Sequence, residues 1–262
     1  MKTLLISLIL LFAFLNGLSQ EQPCTTTFND RSRYIKFGWA NDALKLRGIT
    51  DRYFTNGNSL EYFYLPKNPA KFERIFLRMP CTSTRNNNFA VGFHMQMFTP
   101  TDISLVAIDS GNRPYAGWAY VSLKCISNEF SNSDRITTEY SIGIIGEHSY
   151  QKEVQTWFHK IIGSQKPMGW GNQIHDDIAL NVKVDYEKGL LRPNKNIEMI
   201  GLVEANFGTV TNFMGLGSTI RLGSLMIISS MNWVLEQTPL SLSAMKKKQR
   251  ILQAEKYFGK IC

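Results

Sequence analysis

Three groups of residues in this chain could do chemistry together. His159 lies in EHSYQKEVQTWFHKIIG, and far upstream stand the pair Asn41-Asp42 and the run Asp51-Arg52-Tyr53-Phe54-Thr55-Asn56-Gly57. An imidazole can take a proton from water near neutral pH. Carboxylate and carboxamide oxygens are the ligands a hard cation such as calcium requires. A cation held that way polarises an ester carbonyl and stabilises the oxyanion that forms, so histidine plus cation is the minimal apparatus for ester hydrolysis. Each group alone has a plainer reading. A lone histidine among apolar residues is ordinarily packed or on the surface, and Asn-Asp and Asn-Gly are ordinary turn chemistry. What separates the two readings is whether the fold brings the groups to one place.

The elements that would have to do so are strands. IALNVKVDYEKG sets Ile178, Leu180, Val182, Val184 and Tyr186 against Asn181, Lys183, Asp185 and Glu187. FAVGFHMQMF and ITTEYSIGII alternate in the same way, one face greasy and the other polar or small. Eight such strands are expected, at about 33–41, 54–65, 88–98, 115–125, 136–146, 177–190, 196–208 and 212–222. Most are long enough to cross a bilayer at a tilt, which takes about 9–11 residues, whereas strands of soluble domains cluster near 5–6. Trp39, Phe54, Phe98, Tyr115 and Tyr186 near run ends suit interfacial girdles. The expected fold is therefore all-β, a transmembrane antiparallel barrel, with a soluble β-sheet binding protein as the competing architecture. Val154, Trp157, Phe158, Ile161 and Ile162 fall at helical spacing before Gly163, so one helix interrupts the strands. If the first strand rises and Pro66–Asn87 contributes no strand or two, then Asn41, Asp42, Thr55 and this helix share one rim.

The remaining features bound the class. MKTLLISLILLFAFLNGLSQ has the basic start, short apolar run and small residues of a secretory signal peptide over residues 1–19. The net charge of +8 suits anionic partners, and a secreted chain points to lipid phosphates rather than nucleic acid. Cys24, Cys81, Cys125 and Cys262 lack zinc-site spacing and allow a disulfide without fixing its pairing. The barrel domain is expected over 20–223. From Ser224 to Cys262 the chain loses alternation and turns basic, so this segment is expected to be an atypical, truncated end of the barrel.

Several ordered blocks carry a resemblance. Asn41-Asp42, Asp51 to Gly57, Met97-Phe98-Thr99-Pro100, Asn112 to Trp118, Gln155-x-x-x-His159 with Ile161-Ile162-Gly163, and Gly169-Trp170-x-x-Gln173 are similar to the lipid A 3′-O-deacylases of the Gram-negative outer membrane. That resemblance implies a twelve-stranded barrel whose site lies at the outer rim, between the wall and an external helix. It also implies calcium and a water-mediated attack on an acyl ester of lipid A. By position, His159 would be the general base, Asn41 would orient the site, Thr55 would contact site or substrate, and Asp42 would hold calcium. Arg52, Arg113 and Tyr115 would shape the substrate groove. A lysine expected after the Thr-Pro stretch is missing, with Lys166 as a spatial substitute, and an expected acid six positions after His159 is Gln165. These departures keep a non-catalytic barrel, either pore or structural protein, as the alternative to a lipid A hydrolase.

Overall fold

The computed structural model describes residues 25–27, 33–41, 53–80, 84–107, 112–129, 133–194 and 196–223. Nine strands are described: β1 (Thr25–Thr27), β2 (Tyr34–Asn41), β3 (Tyr53–Tyr64), β4 (Thr84–Thr99), β5 (Ala116–Glu129), β6 (Asp134–Ile145), β7 (Asp177–Asn194), β8 (Ile197–Gly208) and β9 (Phe213–Leu222). β2 to β9 follow one another in space as an antiparallel meander that curls into part of a barrel. These eight are the strands the alternation predicts. β4 begins earlier, and β5 and β7 run further, than the periodicity indicates. Arg85–Asn88 and Ser127–Glu129 carry no apolar alternation, yet the ladder pairs them because each continues a register already set, whereas Leu191–Asn194 pairs with β8 across two register shifts, after Gly189 and after Leu191. β1 was not expected: three threonines have no face to read, and they are held by parallel pairing with Thr84–Asn86.

The two faces of the sheet differ in kind. On the inner face Lys124 bridges Glu61 and Glu139, Lys36 also reaches Glu61 (3.7 Å), and Lys183 binds Asp185 and Glu204, each at 2.9 Å. His94 joins that face through Ser122 Oγ at 2.9 Å and stacks on Tyr120. The outer face presents Ile35, Phe37, Leu60, Tyr62, Val91, Phe93, Val121, Ile142, Ile178, Leu180, Val203, Leu216 and Ile220, all exposed. A soluble barrel buries its greasy face and wets its polar one. Here the sense is reversed, which is the arrangement of a barrel with hydrocarbon outside.

The segment between β3 and β4 contributes no further strand among its described residues, which meets the parity condition. It forms a four-residue helix, α1 (Pro69–Phe72), and a single 3₁₀ turn over Glu73–Ile75. These fold back on the outer wall at the end opposite Asn41. Phe72 and Phe76 pack with Phe89, Cys125 and Tyr140. Glu73 accepts hydrogen bonds from Arg78 (2.8 Å), Arg85 and Asn87, and Tyr140 Oη donates to the Ile75 carbonyl at 2.5 Å. Cys125 is buried in this contact and unpaired, so it is not half of a disulfide. The other cysteines, the signal segment and the tail from Ser224 lie outside the described residues.

The girdle expectation needs correction. Phe54 and Phe98 pair across β3 and β4 on the inner face and meet edge to face at 5.7 Å. Tyr115 precedes β5 and is buried on Trp170 with its hydroxyl donated to the Ile103 carbonyl at 3.1 Å. Of the five aromatics, Trp39 is the one exposed on the outer face. An aromatic near a strand end records proximity to a rim, but the residue's parity decides which side of the wall it faces.

Candidate active site on the outer wall

The antiparallel register fixes which residues share an end. Asn41 ends β2 opposite Asn56, Thr99 ends β4 opposite Tyr53, Ala116 starts β5 opposite Phe98, and Ile145 ends β6 opposite Trp118 and Asp177. The loop of residues 146–176 therefore leaves the same end as the Asn41 loop. Gly146 turns it at φ 113 and donates its N–H to the Gly117 carbonyl at 2.8 Å. A 3₁₀ turn over Glu147–Ser149 follows, then Tyr150 at φ 58, then α2 (Gln151–Ile162), which stops at Gly163 in the left-handed conformation. Glu147–Gly163 is thus two helical pieces with a break at Tyr150, rather than the one continuous helix expected.

α2 lies across the outside of the wall. At its start it meets Gly117, where a Cβ would come within 2.0 Å of Ser149 Oγ and 2.7 Å of Gln151 Cγ, so the strand and the turn approach as closely as a bare backbone allows. Further along, Val154 packs on Met97, Ile103, Tyr115 and Trp170. Toward its end it reaches the outer faces of β3 and β2. Gln151, Gln155 and His159, each four residues apart, form the buried face. A polar stripe facing the wall is sustainable because each member has a partner. Gln155 Oε1 accepts Trp170 Nε1–H at 2.7 Å, and Gln151 Nε2 donates to the Ser149 carbonyl at 3.1 Å.

Between helix and wall is a cleft of about 170 Å³ lined by Trp39, Asn41, Thr55, Asn56, Asn58 and Met97 from the wall and by Val154, Gln155, Trp157, Phe158, His159, Ile162 and Ser164 from the helix side. Three of the residues singled out from sequence, Asn41, Thr55 and His159, line it. Asn56 Oδ1 accepts from Trp39 Nε1 (3.2 Å) and from Asn41 Nδ2 (3.3 Å), which holds the Asn41 amide against the wall. Thr55 sits where the β3–β4 register shifts between Phe54 and Asn56, and its hydroxyl shares a hydrogen bond with Thr99 at 2.6 Å. His159 Nδ1 meets the Gln165 carbonyl at 2.6 Å. In a neutral ring that carbonyl must accept an Nδ1–H, which leaves the lone pair on Nε2.

Other expected site residues go elsewhere. Arg113 stacks over the Phe98 ring at 4.8 Å, and with Tyr115 it lines a separate small hollow with Asp102 and Asn112. Tyr115 is a core residue beneath α2 rather than part of the cleft surface. Lys166 is exposed in the strand-free stretch after Gly163 and does not line the cleft. Asp42 and Arg52 lie outside the described residues. The cleft in turn uses Trp39, Asn56 and Gln155, which sequence reasoning did not place among the site residues. Two signals pointed to them: the outward series Tyr62, Leu60, Asn58, Asn56 changes from greasy to polar along one face, and Gln151, Gln155 and His159 repeat every fourth residue.

At the loop's far end, Asp176 binds His148 twice, accepting its backbone N–H at 3.0 Å and meeting Nδ1 at 2.6 Å. The hydrogen bond and charge of Asp176 raise the His148 pKa, and the hydrogen bonds from His148 lower that of Asp176. Both groups are solvent-exposed, so the pair is a latch on the loop rather than a large source of stability.

Comparison with known proteins agrees with this architecture. The chain superposes on the solved structure of LpxR from Salmonella typhimurium with a TM-score of 0.60 at 19% identity, covering 78% of this chain and 71% of that one. No curated protein sequence matches it. Residues 4–233 match the family described as Outer membrane protein LpxR, and the chain belongs to that family of outer-membrane β-barrels.

Proposed function

We propose that the protein is an outer-membrane lipid A deacylase that hydrolyses an acyl ester, the 3′-O-linked chain in the family's manner, with its site facing the cell exterior. The observation that carries this reading is the convergence of Asn41, Thr55 and His159 on one cleft outside the wall, beneath a helix. His159 Nε2 takes a proton from a water molecule while Nδ1–H stays on the Gln165 carbonyl, which fixes the ring's tautomer and orientation. The water oxygen attacks the acyl carbonyl. His159 then returns the proton to the departing sugar oxygen, releasing a free fatty acid. Asn41, braced by Asn56, and the Thr55 hydroxyl present polar groups toward the reacting centre. Phe158, Val154 and Met97 supply apolar lining suited to an acyl chain. Exposed Lys166 is available to lipid A phosphate outside the cleft, and Arg113 lies just before β5 at the same end.

The donor chemistry of the cleft fits calcium in type. Asn41 and Thr55 offer hard oxygens, and Asp42, next in the chain, would add the carboxylate. Among the described residues no cluster of three His, Cys, Asp or Glu side chains could hold a metal ion, so the charge of the site would rest on Asp42. When bound, calcium would polarise the ester carbonyl and stabilise the developing oxyanion. Gln165 at the position where an acid was expected makes the set more neutral and favours a weaker site.

Mass spectrometry of lipid A from cells expressing the protein tests the reading. Loss of one acyl chain is expected with the native protein. With His159→Ala that loss should fall by about 10²–10⁴-fold, the usual worth of a general base, while the barrel still shows heat-modifiable gel migration. Chelation with EGTA should suppress the reaction and added calcium restore it. Unchanged acyl number under calcium would select the non-catalytic alternative.

A further inference from the structure

The outward-facing side chains of β4 run Phe89, Val91, Phe93, Met95, Met97. Phe89, 0% exposed, is covered by the segment after β3, and Met97, 2% exposed, is covered by α2. Only Val91 to Met95 is left bare. At about 3.4 Å per residue and a tilt near 40°, that strip covers about 10 Å of membrane thickness. On β7 the outward run from exposed Ile178 and Leu180 through half-buried Val182, Val184 and Tyr186 covers about 20 Å on the same reckoning. Since the apolar band of such a barrel is about 25 Å tall, what covers β4 must itself supply apolar surface there. The covering at the β3–β4 end exposes Lys67, Lys71 and Arg74 alongside Ile75 and suits headgroups. α2 exposes Trp157 (65%) and Ile161 (61%).

At 100° per residue, α2 divides into three strips. Gln151, Gln155 and His159 face the wall. Measured from Gln155, Phe158, Val154 and Ile161 lie about 60°, 100° and 120° round to one side, with Trp157 beyond them at about 160°; Lys152, Thr156 and Lys160 lie about 60°, 100° and 140° round to the other side. The cleft is lined by the apolar flank, through Val154, Trp157 and Phe158, and continues onto Trp39, which follows Ile35 and Phe37 on the lipid-facing side of β2. We propose that α2 is an interfacial helix. Its Trp157–Ile161 flank is immersed in the acyl layer of the leaflet on the site's side, its Lys152–Lys160 flank lies at the headgroups, and the cleft opens sideways into the hydrocarbon. The occupant of this apolar flank is lipid acyl chain, continuous with the lipid face of the barrel. Any lipid that enters the cleft then does so from within the leaflet rather than from water. The inference stands whether or not the site cleaves esters.

Tryptophan fluorescence of the full chain in vesicles of dibrominated phosphatidylcholine tests it. Trp157→Phe should remove a component that the brominated lipid quenches at least about twofold better than aqueous iodide does. In the Trp157→Phe background, Thr156→Trp moves the indole to the other flank, and its added emission should show the reverse preference. Ile161→Trp, which keeps an apolar residue, should add lipid-quenched emission and serves if Trp157→Phe does not assemble. Iodide quenching of positions 156, 157 and 161 alike, with no lipid-dependent component lost, would overturn the proposal. Because the readout is spectroscopic, its failure is distinct from failure of the deacylase reading.

Discussion

The wall of this barrel is built in two ways. Along β7 to β9 no helix is described over the outer face, and Ile178, Leu180, Val203, Leu216 and Ile220 stand exposed on it. Along β2 to β5 the outer face changes character at the site end, where Asn41, Asn56 and Asn58 replace aliphatic residues and Gly117 replaces any side chain. Polar groups facing hydrocarbon without partners cost several kcal/mol each. They persist here because α2 roofs them and Asn41 bonds to Asn56. A barrel wall can therefore hold a polar site on its lipid side only where another element shields it, and the shield becomes half of the site.

That contrast predicts where substitutions act. The largest effect belongs to the roofed wall: Gly117→Ala places a Cβ 2.0 Å from Ser149 Oγ and 2.8 Å from Gln151 Cβ, lifting the start of α2. A displacement of about 1 Å at a site can cost roughly 100-fold in rate, so deacylation measured in purified protein should fall by that order with the barrel intact. Unchanged activity would mean that α2 need not sit tightly on β5. On the bare wall the order reverses, with stability suffering and chemistry spared. Val182→Arg, in the middle of the β7 run, should destabilise the barrel by about 2–4 kcal/mol in urea titration in lipid. If it is tolerated without loss, β7 does not face the hydrocarbon core.

The smallest effect comes from the latch. Asp176, with its pKa lowered, contributes above the unfolded carboxylate range near 3.8 and loses that contribution as pH falls through the lower folded value. His148, with its pKa raised, contributes below 6.5 and loses it as pH rises through the higher folded value. The latch is thus strongest between roughly pH 4 and somewhat above 6.5. Proteolysis of the 146–176 loop should be slowest in that window, and Asp176→Asn should flatten the profile. A profile that Asp176→Asn leaves unchanged would show that the latch does not set loop opening.

The lipid-spanning strands were legible in the sequence because burial on one face imposes a period of two, and that period survives any ignorance of the neighbours. The polar strand extensions and β1 were not legible, since their pairing is not written in any side-chain alternation. His159 and Asn41 could be suspected from residue type and order. The girdle reading of Phe54, Phe98 and Tyr115 failed because parity and packing, not closeness to a run end, set their surroundings. Gln155 and Asn56 stand within the motifs but were not placed in the site, because a neutral amide advertises no chemistry until its hydrogen-bond partners are in view.

By itself, then, the chain's alternation determined a succession of long strands, and it put Asn41 and α2 at the same end on the condition, met among the described residues, that 66–87 add no strand or two. Only the tertiary structure decided that α2 folds over the outside of the wall, with its glutamine and histidine stripe inward and its tryptophan flank to the side. A helix carries its periodicity in sequence, but the direction each face points is set by what it docks against. Here that is a glycine, three asparagines and a methionine drawn from four different strands.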